Sequence, residues 1–298
     1  MNTKKKGFFL VDCIYLAITF VPIIAGIIIK MLTSPVSEGI SISGALIYFE
    51  VNMPIQKLIV TESQVNSLIV IISILGLCLY LTHGLDERNP TKRQHIAEML
   101  VTFCDKMVVG NMGEYFKFFS PFIASVLALS AYSSLLALFG LYAPTSDINI
   151  VGGWAILVFI LITYYKLKCG PLMYIKSFGN PALMAPLNII SEIATPISMA
   201  FRHYGNILSG SVISVLLAAG LQGLTHFVLG WLPGFLGEFP FLRIGLPAVL
   251  SIYFDVFSSV LQAYIFAMLS MLYISGGFPL EEYTKRKNIK NIKKTEVI

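Results

Sequence analysis

Charged residues are scarce in this sequence, and their scarcity excludes most classes of protein. Asp, Glu, Lys and Arg make up 12% of the 298 residues, whereas 56% of the residues are hydrophobic and the mean hydropathy is +0.78. A soluble globule of this composition would have too little polar surface to cover its core. The sequence therefore predicts an integral membrane protein.

Cysteine and histidine are also sparse, with four residues of each kind. The cysteines form no CxxC pair, so free thiols are expected and a disulfide framework is not. The histidines are too scattered along the chain to form a set of metal ligands. Basic residues form no patch interleaved with aromatic ones, which argues against nucleic acid as a partner. We expect neither a cofactor nor a metal.

Long apolar runs predict six membrane helices, because about 20 apolar residues cross a hydrocarbon core. The predicted spans are Phe8 to Leu32, Asn66 to Leu81, Phe118 to Leu141, Val151 to Leu167, Leu187 to Leu221 and Leu246 to Ile274. The fold class is therefore an all-α polytopic membrane protein. The first run is too long for a secretory signal and no A-x-A site follows it, so it is expected to be a retained helix.

The basic residues fall on alternate sides of the predicted spans. Cytoplasmic loops of membrane proteins carry an excess of lysine and arginine. The residues that fit a cytoplasmic amino terminus are Lys4, Lys5, Lys6, Arg88, Lys92, Arg93, Lys106, Lys117, Lys166, Lys168, Lys176, Lys285, Arg286, Lys287, Lys290, Lys293 and Lys294, and only Lys30, Lys57 and Arg243 fall on the other side. Both termini are predicted to be cytoplasmic. Nothing resembles a transit peptide, so a bacterial cell membrane is favoured.

Four regions follow from this topology. Residues 1–33 form an extra amino-terminal membrane helix, and residues 34–65 form an extracytoplasmic segment whose alternating run ISISGALIYFEV suits a short strand or an interfacial segment. Residues 66–276 form the main membrane domain, and residues 277–298 a basic cytoplasmic tail. The segment that begins at Thr91 alternates polar and apolar residues at helical spacing, which predicts an amphipathic helix along the cytoplasmic interface.

Arg202 is a permanent charge within a long apolar run, FRHYGNILSG. A guanidinium stays protonated at any ordinary pH. At the centre of a bilayer, insertion scales give it a cost of about 2.5 to 3.5 kcal/mol. A helix that carries such a cost usually uses the charge in its function.

Polar residues accompany Arg202 along the same helix. At about 100° per residue, the residues within roughly 40° of Arg202 are Asn188, Ser191, Thr195, Ser198, Asn206 and Ser209. Glu192 lies just beside this stripe. Such a stripe can hold helices together by hydrogen bonds, but an arginine at its centre favours a hydrated path or a charged partner. Pro196 interrupts the helix and predicts a packing kink or a hinge.

The last predicted span carries a second polar face, on which Ser251, Asp255, Ser258, Ser259 and Gln262 recur at helical spacing. Asp255 is the carboxylate that lies well inside this span. Two roles are open for it. It can form a buried ion pair with Arg202 or a hydrogen-bonded core acid, or it can line an aqueous path and exchange a proton there.

These motifs resemble subunit a of the bacterial F-type ATP synthase. The run PISMAFRHYGNILSG supplies the proline, arginine, Gly-Asn pair and small residues of that family's main motif. The runs PLNIISEIA, APTSDIN and LQAYIFAML resemble further family segments, and the last of them places Gln262 where the family keeps a glutamine. The resemblance covers roughly Ile42 to Ile274 and leaves the first helix as an extension.

The resemblance implies a stator subunit that does not catalyse a reaction itself. In such proteins the last two long helices form a tilted hairpin that faces a ring of c subunits, and a peripheral stalk of b subunits completes the stator. Two offset half-channels would carry the ion. Both H+ and Na+ stay open as the coupling ion, because the ligands that select it lie mainly on the c subunit. Arg202 would face the ring between the half-channels, attract a deprotonated carboxylate and block direct leakage. Ion translocation is thus expected to involve Arg202, Asn206, Glu192, Gln262, Asp255, Ser211 and His203.

Three positions depart from the family pattern. Ser211 stands where many relatives carry an acidic residue, and Asp255 where they carry histidine or glutamate. The outer half-channel is therefore expected to depend on one carboxylate of the last helix. His203 replaces the usual leucine, and packing is the expected role for it.

A secondary transporter and an intramembrane enzyme are the two alternatives to a stator. In an independent ion-coupled secondary transporter, Arg202 would bind an anionic substrate, but the sequence shows no internal repeat of the kind such proteins use. An intramembrane enzyme would use Asp255 and a histidine as acid and base, but no nucleophile motif or metal triad accompanies them.

Overall fold

The structure is a computed structural model that describes residues 2–33, 44–54, 57–87, 90–170, 185–229 and 252–278, together with residues 174, 249 and 284. The side chains of residues 2–9, 169, 226, 229 and 255 lie outside this description. Within the described ranges, six helices are long and apolar enough to cross a membrane. The prediction of a multi-pass α-helical membrane protein is therefore confirmed.

The first two helices, α1 (Asn2–Thr33) and α2 (Glu62–Thr82), pack directly against each other. A Cβ atom at Gly76 of α2 would lie 2.8 Å from the backbone nitrogen of Thr19 on α1. Only glycine permits this approach, because any larger residue would meet backbone atoms rather than a flexible side chain. The extra amino-terminal helix is thus tightly packed against the membrane domain.

A β-hairpin precedes α2 and confirms the strand expected in this segment. Strands β1 (Ile47–Val51) and β2 (Leu58–Thr61) pair antiparallel. The helix α2 begins directly after β2, four residues earlier than the apolar pattern predicts, because Thr61 and Gln64 form a capping box around the first turn. The polar residue Glu62 therefore belongs to the helix.

The third and fourth helices, α3 (Lys92–Met112) and α4 (Ser120–Leu135), are separated by a 3₁₀ turn, Glu114–Phe119. Gly113 ends α3 with a positive φ of 86°, a conformation that favours glycine. A second 3₁₀ turn, Leu136–Phe139, follows α4. The second half of α3 buries Cys104, Met107, Val108 and Met112, whereas residues 98–103 are all exposed. The exposed residues include Met99, Leu100, Val101 and Phe103, so an amphipathic helix along the membrane surface stays a prediction.

Three helices complete the fold: α5 (Ile148–Cys169), the 45-residue α6 (Ala185–Leu229) and α7 (Ser259–Gly276), which continues a π-helical segment, Ile252–Ser258. The helix α6 continues through Pro196. The main core lies between α3, α4, α5 and α7. Its largest fully buried side chains include Phe116, Ile123, Phe266 and Met271.

Contacts between helix ends define two sides of the bundle. Asp12 of α1 contacts Arg93 of α3, and we call this the amino-terminal side. Lys30 at the other end of α1 contacts Glu62 of α2, and we call this the opposite side. Which side is cytoplasmic stays a prediction, as do the boundaries of the four regions. The start of the last predicted span and most of the basic tail lie outside the described residues.

Candidate functional site

Arg202 lies on an exposed face of α6. Its side chain is exposed, and among the described residues no hydrogen bond or ion pair reaches its guanidinium. Ser191, Ser198 and Ser209 on the same face are exposed as well. Arg202 and these serines of the predicted stripe thus point outward, whereas Asn188, Thr195 and Asn206 are half-buried. Among the described side chains, none supplies a counter-charge to this guanidinium.

Glu192 sits on the flank of α6 and forms an ion pair with the end of α5. The Lys166 ammonium donates hydrogen bonds to both Glu192 carboxylate oxygens, at 2.6 and 2.7 Å. The Tyr174 hydroxyl donates a third hydrogen bond at 3.4 Å. Burial raises the pKa of Tyr174, and the Glu192 charge raises it further, so this phenol stays protonated and remains a donor. The carboxylate is held in place on the amino-terminal side.

Asn206 joins α6 to the segment that precedes α7. Its side-chain amide donates to Ser258 Oγ at 2.9 Å, and Ser258 Oγ donates back to Asn206 Oδ1 at 3.1 Å. One turn further along, a Cβ atom at Gly210 would lie 3.4 Å from the ring of Phe254. The reciprocal hydrogen bonds and the small residue fix the spacing of the two helices just beyond Arg202.

His203, the residue after Arg202, points into the bundle and is fully buried. Its Nε2 atom lies 3.2 Å from Ser130 Oγ. The rings of Trp154 and Phe266 contact it edge-on, with centroids 6.0 and 5.5 Å away. This packed position agrees with the packing role expected for His203, although its effect on transport stays a prediction.

The remaining predicted residues lie on the flanks of the same helix pair. Gln262 of α7 is buried. Ser211 of α6 is exposed, and its hydroxyl donates to the carbonyl of Leu208 at 2.8 Å. Asp255 lies in the π-helical segment before α7, but its side chain is outside the described residues, so its predicted roles stay open.

A small cavity lies beside α6 on the amino-terminal side. Its volume is about 170 Å³, and Lys166, Glu192, Thr195, Tyr273 and Gly277 contribute to its lining. A few water molecules fit in a polar space of this size. The ion pair between Lys166 and Glu192 thus lies where water reaches the flank of α6.

A large cavity of about 620 Å³ lies beside α6 on the opposite side. Lys30, Ser134, Tyr142, Tyr204 and Ser211 contribute to its lining. It also includes Phe254 and Ser259 from the segment that leads into α7. The two cavities border different parts of α6, and Arg202 lies between them.

Sequence reasoning missed the partner of each polar residue on α6. Lys166 was predicted only as a basic residue on the cytoplasmic side. A lysine in the last turn of a helix is favoured by the helix dipole, but this does not identify its partner. Ser258 was placed on the polar face of the last span without Asn206 as its partner. Such pairs are long-range contacts, and helical periodicity does not contain them.

The fold and the site define a multi-pass α-helical membrane protein in which the exposed Arg202 lies on α6 between two cavities of mixed polar and apolar lining. Among the described residues, no group of histidine, cysteine and acidic side chains is arranged to hold a metal ion. The chain belongs to the ATP synthase A chain family, whose family model matches residues 65–275.

Curated relatives agree with this assignment. The chain is 33% identical to ATP synthase subunit a of Desulforamulus reducens over 198 residues, which cover 65% of this chain and 70% of the relative. It is 29% identical to ATP synthase subunit a of Hydrogenobaculum sp. over 228 residues, 74% of this chain and 98% of the relative. It is 26% identical to the same subunit of Legionella pneumophila over 226 residues, 75% of this chain and 89% of the relative.

Proposed function

We propose that this chain is the ion-conducting stator subunit of an F-type ATP synthase, and that it does not catalyse a reaction itself. One observation carries the proposal: two separate cavities border α6 on opposite sides of Arg202. Relatives with the name ATP synthase subunit a support the assignment to this complex.

The spacing along α6 suits two half-channels that do not meet. The small cavity ends at Thr195 and the large cavity begins at Tyr204, which are about 13 Å apart at 1.5 Å per helical residue. Arg202 lies within this interval. An ion that crosses the membrane through both cavities must therefore pass the guanidinium, which repels it.

The exposed position of Arg202 supports a moving partner. Its counter-charge would be the ion-binding carboxylate of each c subunit that passes the exposed face of α6. A permanent positive charge favours the deprotonated form of that carboxylate. The carboxylate therefore releases its ion before it moves away from Arg202. Each elementary charge that crosses 100 mV is worth about 2.3 kcal/mol, and rotation of the ring would capture it.

The other residues have distinct proposed roles. Glu192 receives the ion at the small cavity, where Lys166 and Tyr174 orient it. Asn206 fixes the helix spacing beside Arg202, and Gln262 contributes a buried polar group from α7.

On the opposite side, Ser211 lines the large cavity. Asp255 is proposed as its proton-exchanging carboxylate, while His203 packs. No acidic residue is needed at position 211 if Asp255 serves the path alone. Ser211 and Asp255 together replace the acidic residue and the histidine or glutamate that relatives are expected to carry at these positions.

The proposed partners are the c-subunit ring, the b subunits of the peripheral stalk and the remaining ATP synthase subunits. The proposed location is a bacterial cell membrane with both termini in the cytoplasm, since the basic residues favour this orientation. The amino-terminal side would then be cytoplasmic, and the small cavity would be the inner half-channel. The coupling ion is H+ or Na+.

Sided chemical labelling tests the two cavities. Thr195→Cys and Ser211→Cys are made separately in the complex, after replacement of the four native cysteines, and treated with a membrane-impermeant thiol reagent in inverted and in right-side-out vesicles. We expect Thr195→Cys to react in inverted vesicles and Ser211→Cys in right-side-out vesicles. Labelling should abolish ATP-driven pumping by both variants.

The control for this experiment is Ser125→Cys on the exposed face of α4, which lines neither cavity and should react from neither side. If one side of the membrane reaches both cavity positions, the two-cavity mechanism is wrong.

A further inference from the structure

The amino-terminal helix α1 forms part of the wall of the large cavity. Its residue Gly26 approaches α2 and the loop after α4: a Cβ atom there would lie 2.7 Å from Ile69 Cδ1 and 3.5 Å from Leu141 Cδ1. Ile23, one turn earlier, is buried against the same residues. Leu141 lines the large cavity, so α1 stands directly behind that wall.

Lys30, near the end of α1, reaches the large cavity itself. It is the charged member among the described residues that line this cavity. An uncompensated ammonium there would repel cations and attract anions. The charge state of this rim therefore bears on which ions can approach Arg202 from the opposite side.

Glu62 compensates Lys30. Its side chain is only 2% exposed, and its Oε1 atom lies 3.1 Å from Lys30 Nζ. The backbone nitrogen of Tyr142 donates to the same oxygen at 3.3 Å, and Tyr142 also lines the large cavity. The carboxylate is thus fixed at the rim by contacts from α1 and from the loop that follows α4.

We propose that Lys30 and Glu62 form an electrostatic gate at the rim of the large cavity, through which α1 sets the charge selectivity of ion access. The proposal rests on the proposed function, because it assigns this pair to the outer half-channel. Lys30 lies on the extra amino-terminal helix, and both residues precede residue 65, where the family match begins. The charges of Lys30 and Glu62 cancel each other, and loss of either member leaves the other charge uncompensated.

A simpler alternative is that the pair only anchors α1 to α2. Anchoring predicts that loss of either residue has the same effect, because both losses break one contact. A gate predicts opposite effects, because one loss leaves a cation and the other an anion. The sign of the effect therefore separates the two explanations.

The experiment measures how reagent charge affects access to the large cavity. The purified complex in lipid nanodiscs carries Ser211→Cys as the reporter, with Cys13, Cys78, Cys104 and Cys169 replaced by serine. The reporter reacts with a cationic trimethylammonium-ethyl or an anionic sulfonatoethyl methanethiosulfonate reagent. The measured quantity is the ratio of the cationic rate to the anionic rate.

Opposite shifts are expected in the two single variants. Glu62→Gln should lower the ratio about two- to fivefold, and Lys30→Gln should raise it by a similar factor, as expected for one unit charge at several ångströms in a hydrated site. The double variant and Lys30→Arg should both stay within about twofold of the parent, since neither leaves an uncompensated charge.

Lys57→Gln is the matched control, because Lys57 lies on the same side but pairs with Glu50 in the exposed hairpin. It should leave the ratio unchanged. Equal shifts in both single variants, no shift in either, or a shift of similar size in Lys57→Gln would overturn the gate. The ratio needs no ATP or ion flux, so the gate can fail while the sided labelling of Thr195→Cys and Ser211→Cys holds, and the reverse.

Discussion

Arg93 and Arg202 are both held on helices, but their surroundings differ completely. Arg93 donates to Asp12 Oδ1 at 2.7 Å and to the carbonyl of His83 at 3.3 Å, and its guanidinium lies 5.0 Å from the ring centroid of Tyr80. Arg202 faces outward without a partner among the described residues.

The contrast separates two uses of the same side chain. Arg93 connects α3 to α1 and α2 at the amino-terminal side, and its interactions are complete within the chain. Arg202 has no such partner among the described side chains, so its hydrogen-bonding capacity is available for the proposed ring carboxylate. A satisfied arginine stabilises the fold, whereas an unsatisfied one on a membrane helix is available for function.

The largest effect is expected from the same substitution at the two arginines. Arg202→Ala should abolish ATP-driven ion pumping, because no charge then draws the carboxylate of the ring into its deprotonated form. The complex should still assemble, which subunit composition after purification will show. Arg93→Ala should pump at close to the parent rate in inverted vesicles. Normal pumping by Arg202→Ala would refute the proposed mechanism.

Substitution of Asp255 tests whether its carboxylate belongs to the outer ion path. Asp255→Asn should slow pumping about tenfold or more, equivalent to at least ~1.4 kcal/mol in the barrier, because the outer path loses its proposed carboxylate. Ser211→Ala should slow it less, since Ser211 supplies only a hydroxyl to the cavity. Equal and negligible effects of both substitutions would remove Asp255 from the path.

Glu192 provides an intermediate case, because its ion pair is complete within the chain yet borders a cavity. Glu192→Gln should slow pumping several-fold, because it leaves the Lys166 ammonium uncompensated. The free-energy penalty for an ammonium without its partner is about 1 to 3 kcal/mol. Pumping rates of Lys166→Gln and of the double variant complete a double-mutant cycle. If the two single effects simply add, the pair does not act as a unit.

Arg93 is expected to affect stability rather than transport. Arg93→Ala removes a charge-assisted hydrogen bond from the partly buried Asp12. This loss should lower the free energy of unfolding by about 1 to 3 kcal/mol. Thermal unfolding of the purified complex should therefore shift to lower temperature. Lys57→Gln, which breaks an exposed pair, is the control and should have little effect.

The smallest effect on pumping is expected at His203, the direct neighbour of Arg202. His203→Leu should leave the pumping rate within about twofold, because a packed apolar residue can fill most of the same space. A large loss of pumping with intact assembly would show that the imidazole takes part in transport. Its contact with Ser130 would then be the first interaction to test.

Composition and periodicity were sufficient to predict the helices and the exposed stripe. The six spans follow from apolar length, and Arg202 stands out because an apolar run makes a charge costly. Helical spacing placed Glu192 and Gln262 on or beside the polar faces, but only the resemblance to the family gave them a role in ion translocation. The strand near Phe49 followed from period-two alternation.

The ion pairs could not be predicted in this way. Lys166 and Glu192 are 26 residues apart and Arg93 and Asp12 are 81 apart, and only the packing of the helices brings them together. The start of α2 at Glu62 was also missed, because a capping box decides it rather than hydrophobicity. As a result, the buried acidic partner of Lys30 could not be predicted.

The outward-facing polar stripe of α6 has a consequence for how the cell makes this protein. Before assembly, Arg202 and the serines beside it face lipid, at a cost of about 2.5 to 3.5 kcal/mol for the arginine alone. If the proposed ring covers this face in the complex, a copy without its partners is expected to be less stable than the assembled chain. Production of the chain alone is therefore expected to give low yields.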